Sequence, residues 1–181
     1  MTELSVVSDV LESVRVEAAV AGGMVLLELS GLRDLRVTIS EAYYRETPEA
    51  RVAADLGRAI RLLVARRQDA VEKQGVGSGH AVDLVAGSEL AQRIDEFNRA
   101  NDEFTTEVAT PDGSLRVGTV GMREFVVEIA PGTSARQPAS ELARAAERLG
   151  LELIARRVRA TTRLRMEAFE RELEAQVLAP R

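Results

Sequence analysis

The residues best equipped for chemistry in this chain are its arginines. Five of them, Arg156, Arg157, Arg159, Arg163 and Arg165, crowd a stretch in which no acid appears between Ala155 and Met166. At about 100° per residue, Arg156, Arg159 and Arg163 share one face of a helix. An earlier and looser group is Arg58, Arg61, Arg66 and Arg67. A guanidinium is always charged and offers planar, bidentate donors, so both groups suit the phosphates of duplex DNA. The competing reading is a solvated helix face whose arginines pair with Glu152, Glu167 and Glu170 at helical spacings. No aromatic residue interleaves with the arginines, so stacking on single-stranded bases is not expected.

Other chemistries find little to work with. The chain has no cysteine, which excludes disulfides and thiolate metal sites and points to a reducing cytoplasm. The one histidine, His80, sits in a glycine-rich stretch without a visible partner. There is no phosphate-binding glycine loop, no Gly-x-Ser-x-Gly elbow and no His/Asp/Glu set at metal-ligand spacing. The expectation is therefore a non-enzymatic protein with no cofactor and no metal. Glu17 and Glu107 stand at equivalent points of two strand candidates and read as solvent-facing acids or as an acid pair. Net charge is −5, so a nucleic-acid surface must be a local patch. No apolar run approaches the roughly 20 residues of a membrane span. Met1 to Glu12 carries acids and has no basic segment, unlike a signal peptide.

The elements that must position the arginines emerge from periodicity and punctuation. Thr2 to Glu12 reads as a short amphipathic helix with Leu4, Val7 and Leu11 on one face. Val14 to Ala21 and Met24 to Ser30 read as strands joined by a Gly22-Gly23 hairpin turn. Gly31 opens another turn. Leu35, Val37 and Ile39 alternate with Arg36, Thr38 and Ser40, the pattern of a half-buried strand. After Pro48 a helix runs to about Glu72, its apolar stripe Val52, Leu56, Ile60 and Leu63. Lys73 to Gly87, with Gly75, Gly77, Gly79 and Gly87, reads as a flexible linker.

The same order then returns. Ser88 opens a helix to about Asp102, and strands follow at Phe104 to Thr110, Ser114 to Val120 and Phe125 to Ala130. Pro111-Asp112-Gly113 makes the first hairpin turn. After Pro138 and Ser140 a long helix runs to about Val177. Laid without a gap at an offset of 90, Val14 to Arg67 falls on Phe104 to Arg157 with 14 of 54 positions identical. The identities include Gly23/Gly113, Gly31/Gly121, Arg33/Arg123, Ile39/Ile129, Pro48/Pro138 and Ala65-Arg66-Arg67/Ala155-Arg156-Arg157. The expected fold is α+β: two tandem α-β-β-β-α units, each a three-stranded antiparallel meander flanked by helices. Residues 1–73 form the first unit, 74–87 the linker and 88–181 the second.

The long helix carries two apolar stripes. Leu142, Ala146, Leu149 and Leu153 project within about 60° of each other, and Leu151, Ile154 and Val158 roughly 150° away. Phe169 and Leu173 prolong the second stripe. Either it meets a second surface, or a kink near Gly150 redirects one continuous core face.

The carrying pattern is Gly22, Gly23, Met24, Val25, Ser30-Gly31, Leu35, Val37 and Ile39 followed by a helix. In the second unit it is Asp112-Gly113, Leu115, Val117, Gly121, Phe125, Val127 and Ile129. This resembles the YbaB/EbfC family of small bacterial nucleoid-associated proteins over both units. The resemblance implies cytoplasmic, nucleoid-associated binding of duplex DNA with little sequence preference. Since family members are tweezer-shaped homodimers, it also implies an intramolecular pseudo-dimer, its halves held at about millimolar effective concentration. The chain departs from the family in its tandem fusion, its short first helix and the lack of a long Met/Gln-rich one. Distant members of the fold accompany type VII secretion systems of actinobacteria. The alternative is therefore a non-enzymatic interaction adaptor or chaperone, with a protein partner or self-association through the C-terminal helix.

Overall fold

The computed structural model describes residues 13–31, 33–73, 99 and 102–178, with side chains as far as 163. The expected helix at Thr2–Glu12, nearly all of the one beginning at Ser88, the glycine-rich linker and His80 lie outside the described residues.

The described chain is α+β, with two three-stranded antiparallel sheets and four helices. The first sheet takes β1 (Arg15–Val20), β2 (Val25–Ser30) and β3 (Asp34–Ile39) in that order. Its two-residue alternation is visible in β2, where Val25, Leu27 and Leu29 are buried and Glu28 between them is exposed. The turn into β3 needs Gly31, whose φ of 62° lets its N–H reach the Val14 carbonyl at 2.9 Å. The hairpin joining β1 to β2 is longer than the two-residue turn expected at Gly22-Gly23. The last strand pair is Val20 with Val25, so Ala21, Gly22, Gly23 and Met24 all lie in the loop. Three of them have positive φ, and Met24 N–H closes the turn on the Ala21 carbonyl at 3.3 Å.

A short helix, α1 (Glu41–Glu46), intervenes before the long α2 (Glu49–Lys73). Six residues are too few to display an apolar stripe, and so α1 escaped the periodicity. Its local signal is the N-cap Ser40, whose hydroxyl accepts from the Tyr43 N–H at 3.4 Å, with Glu41 in the first turn and Arg45 in the last. Pro48 then starts α2, its carbonyl accepting from Arg51 and Val52. Val52, Leu56 and Leu63 are buried and Ile60 half-buried, each full burial contributing about 1.5–3 kcal/mol. Leu56→Ala would remove a side chain at the centre of this stripe, at a cost of about 2–5 kcal/mol.

The second sheet orders β4 (Thr105–Ala109), β5 (Leu115–Val120) and β6 (Glu124–Ile129). A four-residue α3 (Thr133–Arg136) follows, again unforeseen, and then α4 (Ala139–Leu178). Local details recur 90 positions on. Gly121, φ 59°, donates to the Phe104 carbonyl at 2.8 Å as Gly31 does to Val14. Leu115 pairs with Ile129 as Val25 pairs with Ile39. Pro138 accepts from Glu141 and Leu142 as Pro48 does from Arg51 and Val52.

The halves are interlocked. Helix α2 lies over β1 and β2 of its own sheet and over β6 of the other; α4 lies over β4, β5 and β3. One continuous core therefore includes Leu27, Val37, Leu56 and Leu63 with Leu115, Val117, Leu142 and Leu153. The edge strands β3 and β6 are thereby covered by a helix from the opposite half, which blunts their capacity to pair with other chains. Each also takes a polar tie. Val37 N–H donates to Glu147 Oε1 at 2.9 Å, and the Phe125 carbonyl accepts from Arg61 Nη1 at 3.3 Å. At the corners, Glu41 accepts from the Ala139 N–H at the start of α4, at 2.8 Å. Glu49 accepts from Ser134 N–H and Oγ at 3.2 and 2.7 Å, and Arg45 bonds the Ser134 carbonyl. The Ala139 N–H and the Arg45 guanidinium hold the Glu41 carboxyl below its usual range, and the Ser134 hydroxyl and N–H do so for Glu49.

Helix α4 runs as one element through Gly150. Leu35 of β3 packs against Gly150 so closely that an added Cβ would displace the leucine side chain. The glycine thus permits a close helix–strand approach. Leu142, Leu149 and Leu153 are buried; in the second stripe Leu151 and Ile154 are half-buried and Val158 is 49 % exposed.

Candidate nucleic-acid interface and central cavity

The nine arginines singled out from the sequence take different roles. Arg66 on α2 donates through Nη1 to the Glu17 carbonyl of β1 at 2.7 Å, and Arg156 on α4 donates to the Glu107 carbonyl of β4 at 2.9 Å. Both bonds span 49 residues. Arg156 also pairs with Glu152 one turn back, through Nε at 3.1 Å. Glu17 and Glu107 are exposed and lend their backbone oxygens to these contacts; the Glu107 carboxylate pairs with Arg116 at 3.4 Å. Arg61 is exposed, with one donor on Phe125. Arg58, Arg159 and Arg163 are exposed on the two long helices. The Arg165 side chain lies outside the described residues.

Arg67 and Arg157 turn inward. Each follows a buried leucine by four residues, Leu63 and Leu153, and so shares its face. Arg66 and Arg156 follow the same leucines by three residues, which also shares a face, so the spacing alone does not separate the two pairs. Burial lowers the pKa of the Arg67 guanidinium, and its Nε and Nη2 are shielded from solvent without a hydrogen-bond partner. Burial likewise lowers that of Arg157, with the Asp102 charge opposing. The Arg157 guanidinium stands 5.3 Å from the centre of the Phe104 ring, within cation–π range.

Both arginines line a partly open cavity of about 510 Å³ between the halves. Its walls are almost wholly apolar: Leu27 and Leu29 of β2, Leu56 and Ile60 of α2, Phe125 of β6 and Ile154 of α4 are representative. No single segment announces this cavity, since strands and helices of both halves build it. Among the described residues no group of three His, Cys, Asp or Glu side chains is placed to hold a metal, and no helix is long and apolar enough to cross a membrane. No protein-family model, curated protein or solved structure matches the chain.

Proposed function

We propose that this chain is a non-enzymatic binding protein of the YbaB/EbfC kind, a tandem duplication acting as a single-chain pseudo-dimer that binds duplex DNA with little sequence preference. The observation that carries the pseudo-dimer is reciprocal packing: each long helix lies over its own sheet and over the last strand of the other half. The matched arginine-to-carbonyl bonds of Arg66 and Arg156 support the same reading.

On this reading the arginines differ in what they can offer to phosphate. Arg61, Arg66 and Arg156 each commit a donor to a backbone carbonyl, and Arg67 and Arg157 face the cavity. Arg58 and Arg159, exposed on the two long helices, are then the first candidates for phosphate. Fluorescence anisotropy with random-sequence duplex across a salt series tests this. Expected is binding that falls steeply with salt, with the log–log slope reduced by about 1 for each phosphate contact removed in Arg58→Glu and Arg159→Glu. No binding at micromolar protein and low salt would sink the DNA reading.

A second reading, the interaction adaptor associated with type VII secretion, is favoured by the length of α4. Its 40 residues extend about 60 Å, whereas a six-residue strand covers about 20 Å. The far part of α4, carrying Phe169 and Leu173, therefore outruns the sheets. Indifference to DNA, together with stoichiometric binding of a defined protein that is lost on truncation after Arg163, would select this reading.

A further inference from the structure

We propose that the central cavity is a binding site for a single-chain amphipathic anion, an unbranched acyl chain ending in a carboxylate, with Arg67 as the headgroup ligand. The inference is independent of the DNA reading and survives its failure.

Three observations meet at this site. The first is volume: about 510 Å³ lies within the roughly 300–1,000 Å³ range of small-molecule sites. The second is the wall. Leucine, isoleucine, valine and phenylalanine side chains from both sheets and both long helices face the space, so an occupant gains by burying hydrocarbon. The third is the Arg67 guanidinium, shielded from solvent at Nε and Nη2 with neither bonded. Shielded guanidinium N–H groups without an acceptor are unfavourable, and a carboxylate presents the two oxygens that two such groups can engage together. Gln68 and Glu72 also line the cavity, and Glu72 accepts from Gln68 Nε2 at 3.2 Å.

The competing occupants fit less well. A free inorganic anion would satisfy Arg67 and leave the apolar volume without a partner. A peptide would bring backbone N–H and C=O groups against walls that offer almost no polar atoms. A long-chain amine would add a further cation to a cavity that Arg67 and Arg157 already line. A chain with an anionic end satisfies both the wall and the guanidinium. Val158, 49 % exposed and part of the lining, stands where the space meets solvent.

The full chain has no tryptophan, so Val158→Trp places a single indole reporter at this position, where exposure tolerates the larger ring. Titration of this variant with laurate should change the indole emission saturably. Adding Arg67→Gln, which keeps a side chain of similar reach, should weaken laurate about ten-fold or more. Dodecylamine and inorganic phosphate should neither bind nor compete. Circular dichroism and the urea midpoint establish that each variant folds. Isothermal titration of the unsubstituted chain with laurate repeats the measurement without the indole. Absence of laurate binding in both formats would overturn the proposal. Equal laurate affinity with and without Arg67→Gln, or equal competition by dodecylamine, would also overturn it by marking an unselective apolar sink.

Discussion

Arg66 reaches across from α2 to the carbonyl oxygen of Glu17 on β1, 2.7 Å away and 49 residues earlier in the chain. The bond ties the helix to the first strand of its sheet. Arg156 repeats it on Glu107. An arginine used in this way supports packing first and is available to phosphate only through its remaining donors.

Arg66→Ala and Arg156→Ala are therefore expected to lower stability, each by about 0.5–1.5 kcal/mol. Their effects should add if the two sites do not couple. Urea denaturation measures the loss, and the salt dependence of duplex binding measures the alternative. If either variant keeps wild-type stability but reduces the DNA salt slope by about 1, the residue is a phosphate ligand and its structural assignment fails.

Asp55 is 1 % exposed, and its Oδ2 accepts from Tyr43 Oη at 2.6 Å and Arg51 Nε at 3.0 Å while Oδ1 has no partner. The corresponding position in the second half is the buried Ala145, so an apolar solution exists within the same fold. Asp55→Ala alone should cost about 1.5–3 kcal/mol, because it strips the phenol and the guanidinium of a charged acceptor. With Tyr43→Phe added, the total should fall short of the sum by about 0.5 kcal/mol or more. Strict additivity in urea unfolding would show that the pair is uncoupled.

The Tyr43 phenol adds a pH signature. Burial, and then its hydrogen bond to Asp55, push its pKa from 10.0 up to about 12. A raised pKa means that the folded state favours the neutral phenol. The contribution is present below about 10 and is lost as pH rises through about 12. Phenolate absorbance of the folded chain should thus show Tyr43 ionising late, and Asp55→Ala should bring it earlier. Ionisation of Tyr43 near 10 in the unsubstituted chain would contradict this account.

Legibility in the sequence followed the physics of each feature. Strands and long helices were readable because two-residue alternation in β2 and the 52–56–63 stripe in α2 are imposed by burial of one face. Helices α1 and α3 were not, since four to six residues complete too little of a stripe and depend on caps such as Ser40. Arginine clustering was visible, yet its division into Arg66 and Arg156 on carbonyls and Arg67 and Arg157 on the cavity depends on which strands each helix covers. The cavity itself follows from which helix covers which strand across halves, a relation no local pattern encodes.

Glycines at the two strand-to-strand turns of the second sheet differ in what surrounds them. Gly121 has φ 59°, and an added Cβ would lie 2.5 Å from the Asp102 carbonyl oxygen. Gly113 has φ 69°, with nothing within 4 Å of such a Cβ. Gly113→Ala should cost only the left-handed strain, about 1–2 kcal/mol. Gly121→Ala should cost more, because the opposing atom is backbone and cannot rotate away. Equal thermal destabilisation of the two variants would mean that the backbone at Asp102 yields freely.

The turn that holds Gly113 also contains an acid whose titration is set by local hydrogen bonds. Asp112 Oδ1 accepts from Ser114 N–H at 3.1 Å and Ser114 Oγ at 2.8 Å. With the Thr110 hydroxyl as the largest influence and Ser114 next, these donors hold its pKa at about 2, below the ordinary 3.8. A depressed pKa means that the folded state favours the carboxylate. The turn therefore contributes stability above about 3.8 and loses it as pH falls through about 2. Asp112→Asn keeps an acceptor oxygen but cannot titrate. Its stability relative to the unsubstituted chain should be lower at neutral pH and converge with it at the acid end. NMR titration of the side-chain carboxyl carbon gives the pKa directly, and urea midpoints across the acid range give the linkage. An Asp112 that titrates near 3.8, or an Asn variant whose acid profile parallels the unsubstituted chain, would show that solvent and not the Thr110–Ser114 turn sets the charge of this side chain.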